Sequence, residues 1–315
     1  MNEAISIGPL IAELRAAAGW TQQDLADRLN AITGKALTRW DVSRWETARR
    51  IPEADIPALA TVLQVPAAML EEAAARARAV RAGRADLAGL GAVLESQRGL
   101  EDQIGAAAVL PGAVANHRAV EAMLCRARGR SREPGARLAA SSAQFVGWLH
   151  TALRRYGQAG RFYDASLRFA SESGDDDAVA TALSMRGHLA FRTGDLGEMI
   201  AATQAARRRA VLAGTKAITA QQEARGHALE HDELAALRSM DEAEDLFAAE
   251  GPDSLYFYSR AMLTMQRGIV LHYLGRHAAA AGHLEAGLAT LPADIAGAEW
   301  TRWYRETLAV ARRRS

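Results

Sequence analysis

At 315 residues, 49% of them hydrophobic, the chain can build two or three cores of ordinary domain size. Only eight prolines and an abundance of alanine, leucine, arginine and glutamate favour helix almost throughout, so the expected fold class is all-α. A formal charge of +1 excludes a uniformly basic coat, the single Cys125 excludes an internal disulfide framework, and no apolar run approaches the roughly eighteen residues of a membrane helix.

The start shows no charged region followed by an apolar stretch, so a cytoplasmic protein is expected, with Cys125 as a small core residue. Leu10, Ile11, Leu14 and Ala18 form the apolar stripe of a first helix that stops at Gly19. Thr21 has N-cap chemistry with Asp24 at the third helical position, and Leu25, Ala26, Leu29 and Ile32 make the stripe of a second helix. Gly34 breaks that pattern. A third helix can begin at Thr38, with Val42 and Trp45 inward and Arg39, Trp40, Asp41, Ser43 and Arg44 outward. After Pro52, the residues Ile56, Leu59, Ala60 and Leu63 predict a fourth helix, and the segment 66–70 a fifth. From Lys35 to Arg50, five basic residues (Lys35, Arg39, Arg44, Arg49, Arg50) meet two acids (Asp41, Glu46), a local excess of +3. Over residues 1–70, however, seven basic and eight acidic side chains leave a net charge of −1.

The elements Gly19-Trp20-Thr21-Gln22, Leu25-Ala26 with Leu29, Val42-Ser43-Arg44-Trp45-Glu46 and Arg49-Arg50-Ile51-Pro52 resemble the lambda-repressor/Cro (XRE) helix-turn-helix family. The resemblance covers about Ile7 to Leu70. It implies that the third helix enters the DNA major groove, where each base pair shows its own donor and acceptor pattern. By the same resemblance Gln22, Thr47 and Arg49 would contact the DNA backbone, and Arg39, Trp40, Ser43 and Arg44 would reach base edges or flanking sugars. Glu46 would pair with Arg15 as a structural tie. Two features depart from the family. About six more residues lie between Leu29 and Val42 than the usual turn allows, and Ala48 stands where glycine usually follows the Trp-Glu pair, at little expected cost.

Residues 71–84 read as a solvated helical connector and 85–135 as a small helical unit, followed by a repeat domain over 136–315. Turn sites at Tyr156-Gly157, Thr193-Gly194-Asp195 and Glu230-His231-Asp232 recur every 37 residues, and Leu274-Gly275-Arg276 follows 44 later. These helix pairs resemble tetratricopeptide (TPR) repeats, which implies an α-solenoid with a concave binding groove. The 37-residue step places Gly147, Ser184 and Gln221 on one row, Thr151, His188 and Arg225 on the next, and Arg154 one turn further. Such rows can line a groove or be the solvated face of a plain bundle. In a groove, Arg154 and Arg225 would suit an anionic group.

No phosphate-binding glycine loop, nucleophile elbow or zinc-protease motif is present, so neither an enzyme nor a cofactor is expected. His227 and His231 flank a turn without a cysteine nearby, and Asp175-Asp176-Asp177 precedes a helix whose N-terminal dipole favours acids. Metal binding is expected at neither. The leading expectation is a sequence-specific transcriptional regulator, forming a homodimer on double-stranded DNA and taking a peptide, small molecule or protein in its repeat groove. The alternative is an interaction scaffold whose N-terminal domain no longer binds DNA. The near absence of lysine beside many arginines suggests a high-G+C bacterial genome.

Overall fold

A computed structural model describes residues 6–127, 129, 132–247, 258–293 and 295–315, with the backbone alone across 79–85. Among the described residues every regular element is helical. The chain divides into two compact units, Met1–Asp86 and Leu87–Ser315.

The first unit holds α1 (Ile7–Ala17), α2 (Gln22–Thr33), α3 (Arg39–Glu46), a 3-10 turn Glu53–Asp55, α4 (Ile56–Leu63) and the first part of α5 (Ala67–Ile104). One core built around Ile11, Leu25, Leu29, Val42, Trp45 and Leu59 holds these helices together. The stripes read from the sequence supply that core, except at their ends. Ala18 caps α1 and is exposed, and Ile32, past the edge of the core, is 53% exposed. Gly8 lets α1 cross the end of α3, because a Cβ there would sit 2.6 Å from the Trp45 carbonyl oxygen. The long segment after α2 is ordered rather than slack. Gly34 closes α2 in the left-handed conformation (φ 68°), and the Asn30 side chain bonds both the Leu37 N–H (2.7 Å) and the Leu37 carbonyl (2.8 Å). Lys35 pairs with the buried Asp55. Those ties set the start of α3 at Arg39, with Thr38 as its N-cap.

Helix α5 is continuous where the sequence suggested a short helix, a connector and a new unit. Ala73 and Ala74 are fully buried in the first core, so the early part of the expected connector is packed rather than solvated.

The second unit continues with α6 (Ala106–Arg126), α7 (Arg132–Ala152), α8 (Tyr156–Ser173), α9 (Asp176–Thr193), α10 (Leu196–Arg209), α11 (Ala213–Leu229), α12 (Glu233–Leu246), α13 (Arg260–Tyr273), α14 (His277–Ala289) and α15 (Arg302–Arg314). Position 135, the expected end of a small unit, falls within the second compact unit. Leu94, Val109 and Leu110 share a core with Phe145 and Leu149, and Val120 and Leu124 share one with Ala136 and Ala139. Cys125, expected in the core, is exposed on α6.

Helices α7 to α14 form four hairpins, and each turns on one left-handed residue: Arg154, Gly194, His231 or Gly275. The first turn therefore lies at Arg154, not at Tyr156-Gly157, and the repeat steps between positions 154, 194, 231 and 275 are 40, 37 and 44. Seven residues before each turn stands Gly147, Gly187, Ala224 or Gly268, and nine after it a buried Tyr163, Thr203, Met240 or Leu284. The small residue admits the large one. A Cβ at Gly147 would lie 2.5 Å from the Tyr163 ring, and one at Gly268 would lie 2.7 Å from Leu284. This shared register makes the array TPR-like. Asp175 caps α9 by accepting from the Asp177 and Ala178 N–H groups, while Asp177 accepts from Val211 and Leu212 at the start of the next hairpin.

Candidate functional site

Two places collect the residues singled out from the sequence. The first is the outward face of α3. Behind it, Val42 and Trp45 are fully buried, so the helix cannot rotate without breaking the core. Its first turn is fixed by Asp41, whose carboxylate accepts from the Thr38 N–H (3.0 Å) and hydroxyl (2.9 Å), and the bond from that N–H first of all lowers its pKa. Its last turn is fixed by Glu46. There Arg15 donates through Nε (2.6 Å) and Nη2 (3.1 Å), and the Gln22 amide donates at 2.6 Å. Arg15 also bonds the Trp20 carbonyl, so α1, the start of α2 and the end of α3 meet at one carboxylate. The hydrogen bond to Glu46 raises the Arg15 pKa.

Facing away from the core are Arg39, Trp40, Ser43, Arg44 and Thr47. Trp40 is 63% exposed, with the Arg39 guanidinium 4.4 Å from its ring centroid. Arg44 pairs with Asp41, and Thr47 donates to the Ser43 carbonyl. Arg49 and Arg50 follow α3, both exposed. Gln22 differs from the other expected contacts because its amide nitrogen is turned to Glu46.

The second place is a cavity of about 730 Å³ inside the second unit. Its wall is the inner face of α7, α9, α11 and α13. The end of α5 and the segment from Glu299 into α15 complete it, joined where the Trp300 indole donates to Asp102 at 3.0 Å. Arg154, Ser184, His188, Gln221 and Arg225 all line this cavity. Gly147 and Thr151 do not. They sit in the seam with α8, where the Thr151 hydroxyl meets the Tyr163 hydroxyl at 3.0 Å. The 37-residue step fails there because the first repeat is longer. Stepping back 40 from Ser184 and His188 reaches Gln144 and Trp148, and both are in the wall. The turn residue Arg154 was the signal that could have found them.

Arg225 is 2% exposed, and its guanidinium stacks 4.2 Å from the Phe191 ring centroid. Burial first, then Arg192, lowers its pKa, and the same burial together with Arg225 and Arg192 holds His188 neutral, well below the usual range. Gln221 donates to Gln266, which donates to Tyr304, whose hydroxyl points to the Met262 sulfur. At the α5 end, burial and the neighbouring Asp102 raise the Glu101 pKa to about 7, and a hydrogen bond from Trp148 opposes the shift. Sequence reasoning missed Glu101, Trp300 and Tyr304, because no local pattern shows that the end of α5 and the C-terminal helix close the same groove.

Among the described residues no cluster of three or more His, Cys, Asp or Glu side chains could hold a metal ion, and no helix is long and apolar enough to cross a membrane. Residues 6–73 match the family model described as a helix-turn-helix domain. No curated protein matches the chain. Among solved structures the chain is similar to that of Bacillus thuringiensis PlcR in complex with the peptide PapR7 and DNA, at 14% identity over 96% of this chain and 98% of that one, with a TM-score of 0.39. A likeness that loose carries no inference. By its own geometry the chain is a helix-turn-helix unit followed by a TPR-like helical repeat.

Proposed function

We propose that the chain is a sequence-specific DNA-binding transcriptional regulator of the lambda-repressor/Cro (XRE) kind, with residues 1–70 reading the operator and the repeat unit taking an input. The observation that carries this reading is the outward face of α3. Arg39, Trp40, Ser43 and Arg44 project from a helix pinned at both ends and along its back, and both nearby acids, Asp41 and Glu46, are engaged by protein partners. Preorganised, solvent-facing arginines on a helix of this diameter are what major-groove readout requires, since one guanidinium can bond guanine O6 and N7 together. Thr47 and Arg49 position the phosphate backbone, and Gln22 acts through Glu46 by holding α2 against α3. The protein binds as a homodimer on a two-fold operator, as helix-turn-helix readers commonly do.

The test is electrophoretic mobility on fragments from around the protein's own gene, with the parent and Arg44→Ala. The parent should retard a specific fragment, and Arg44→Ala should weaken that binding by about 1–3 kcal/mol while relaxing the preference at one base pair. An Arg44→Ala curve that matches the parent refutes the placement of the reading helix. If the parent retards nothing beyond competitor DNA, the scaffold reading, favoured by the net charge of −1 over residues 1–70, takes its place.

A further inference from the structure

Arg225 carries a charge that the protein around it does not answer. It stands on α11 in the cavity wall, fully buried. The groups that act on it most are the rings of Tyr304, Tyr273 and Tyr258 and then a second arginine of the wall, Arg192. None of the wall's carboxylates is among them, and among the described residues none comes within ion-pair reach of it. Its Nε has no hydrogen-bond partner, and Phe191 covers one face of the guanidinium at 4.2 Å. A guanidinium taken out of water is ordinarily met by an anion, because neutral groups do not replace the hydration it loses. The tyrosines bring hydroxyls but no charge, and the Tyr258 hydroxyl is itself buried without a partner. An unanswered cation beside an unanswered O–H donor is the arrangement that a carboxylate completes, since its two oxygens can accept from the guanidinium edge and from a hydroxyl together. From this point the wall continues as rings. Trp303 lies 5.7 Å from Phe191, Phe191 lies 6.3 Å from His188, and His188 lies 5.9 Å from Trp148. Burial first, then Arg225 and Arg192, keeps His188 uncharged, so this run of rings is neutral throughout. Gln144, one turn before Trp148 on α7, is buried in the same wall with its side-chain oxygen unpartnered.

We propose that this cavity binds a small organic acid, its carboxylate held by Arg225 with the Tyr258 hydroxyl, its apolar or aromatic body lying along Trp148, Phe191 and Trp303, and a donor on that body reaching Gln144. The inference rests on the reading of the repeat unit as the input site and supplies its ligand class. The ligand brings the one charge that Arg225 lacks, and Arg192 strengthens the field that attracts it. An inorganic anion would leave most of the space and all of the ring wall unused, because about 730 Å³ is within the usual range for a compact organic ligand. The end of an extended chain fits less well than a small molecule. The end of α5 and the segment into α15 continue the wall past the repeat helices, and the Trp300 bond to Asp102 joins them.

The experiment is direct binding to the full chain without DNA, so that its outcome is independent of operator recognition. Tryptophan fluorescence, which Trp148 and Trp303 report from the wall, and thermal shift are measured with phenylacetic, indole-3-acetic and octanoic acids, each beside its neutral amide. Phenyl phosphate and a pool of N-acetylated tetrapeptides with free C-termini form two further arms. At least one acid should change the fluorescence and raise the melting temperature, and its amide should bind about tenfold or more weakly. Arg225→Met should erase that difference between acid and amide. It should also raise the melting temperature of the ligand-free chain, because it removes a buried charge without a partner. An arginine needed only for packing would do the reverse. No response to any of the acids overturns the proposal, and so does equal binding of acid and amide, a comparison that needs no variant. Tighter binding of phenyl phosphate or of the tetrapeptides than of every acid overturns it as well.

Discussion

At Ala48, two residues past the end of α3, the backbone lies in the left-handed region with φ 58°. A β-carbon in that conformation crowds the carbonyl and costs about 1–2 kcal/mol, and glycine escapes the clash but gains about 0.5–1 kcal/mol of freedom when unfolded. The missing glycine therefore has a real cost, contrary to the expectation from sequence. Ala48→Gly should stabilise the first unit by about 0.5–1 kcal/mol. Hydrogen exchange of the α1 and α3 amides would show the gain as slower exchange, and faster exchange would refute it. Strain here bears on function, because the residue directs the chain from α3 to Arg49 and Arg50. Glu46 has the complementary role, since removing any donor to it leaves a half-buried carboxylate short of partners, which is worse than never having had the network.

Among elements, the hairpin α13–α14 contains two glycines that ask for opposite outcomes. Gly268 faces the partner helix, where a Cβ would meet Leu284 at 2.7 Å and the Ala280 carbonyl at 3.1 Å. Gly282 is exposed in mid-helix with nothing within 4 Å of the position a Cβ would take. Gly268→Ala should destabilise by about 1–3 kcal/mol through overpacking, whereas Gly282→Ala should stabilise by about 0.5–1 kcal/mol through helix propensity. Melting curves of the two variants decide it. Shifts of the same sign would mean that helix crossing does not set the repeat register. The same logic explains why the register is readable around the turns: a small residue and a large one must meet at fixed offsets in every hairpin, even though the large one changes from Tyr163 to Thr203, Met240 and Leu284.

For the whole molecule, the cavity makes stability depend on pH. The folded chain raises the Glu101 pKa to about 7, mainly by burial and then by Asp102, from an ordinary value of 4.5. The folded state thus holds that proton more tightly than the unfolded state. Its contribution is complete below about pH 4.5 and is lost as pH rises through about 7. His188 acts oppositely. Its pKa is lowered by burial, Arg225 and Arg192, so its contribution is present above the ordinary value of 6.5 and declines as the pH falls. Glu101→Gln cannot ionise, and its stability relative to the parent should climb steadily from pH 4.5 to 7. A constant difference between the two melting temperatures across that range would show that Glu101 is not held in this environment.

The all-helical class, the first four helices of the first unit and the inward roles of Val42 and Trp45 were legible in the sequence. Each depends on neighbours three or four residues away, and helical periodicity records exactly that kind of contact. The Arg15 and Glu46 positions came from family resemblance, and the geometry brings their side chains together. Other features depend on partners that are far apart in the chain. The path of α5 through the expected connector is set by Ala73 and Ala74 packing into the first core. The true first turn at Arg154 is set by the fit of Gly147 to Tyr163. The turn of Gln22 toward Glu46 joins residues 24 apart, and the closing of the cavity by Trp300 on Asp102 joins residues 198 apart. Local sequence determines which residues can form a helix and which of its faces is apolar. Only the tertiary structure decides which polar groups share a buried space, because that depends on long-range packing and on the cost of leaving a charge there without a partner.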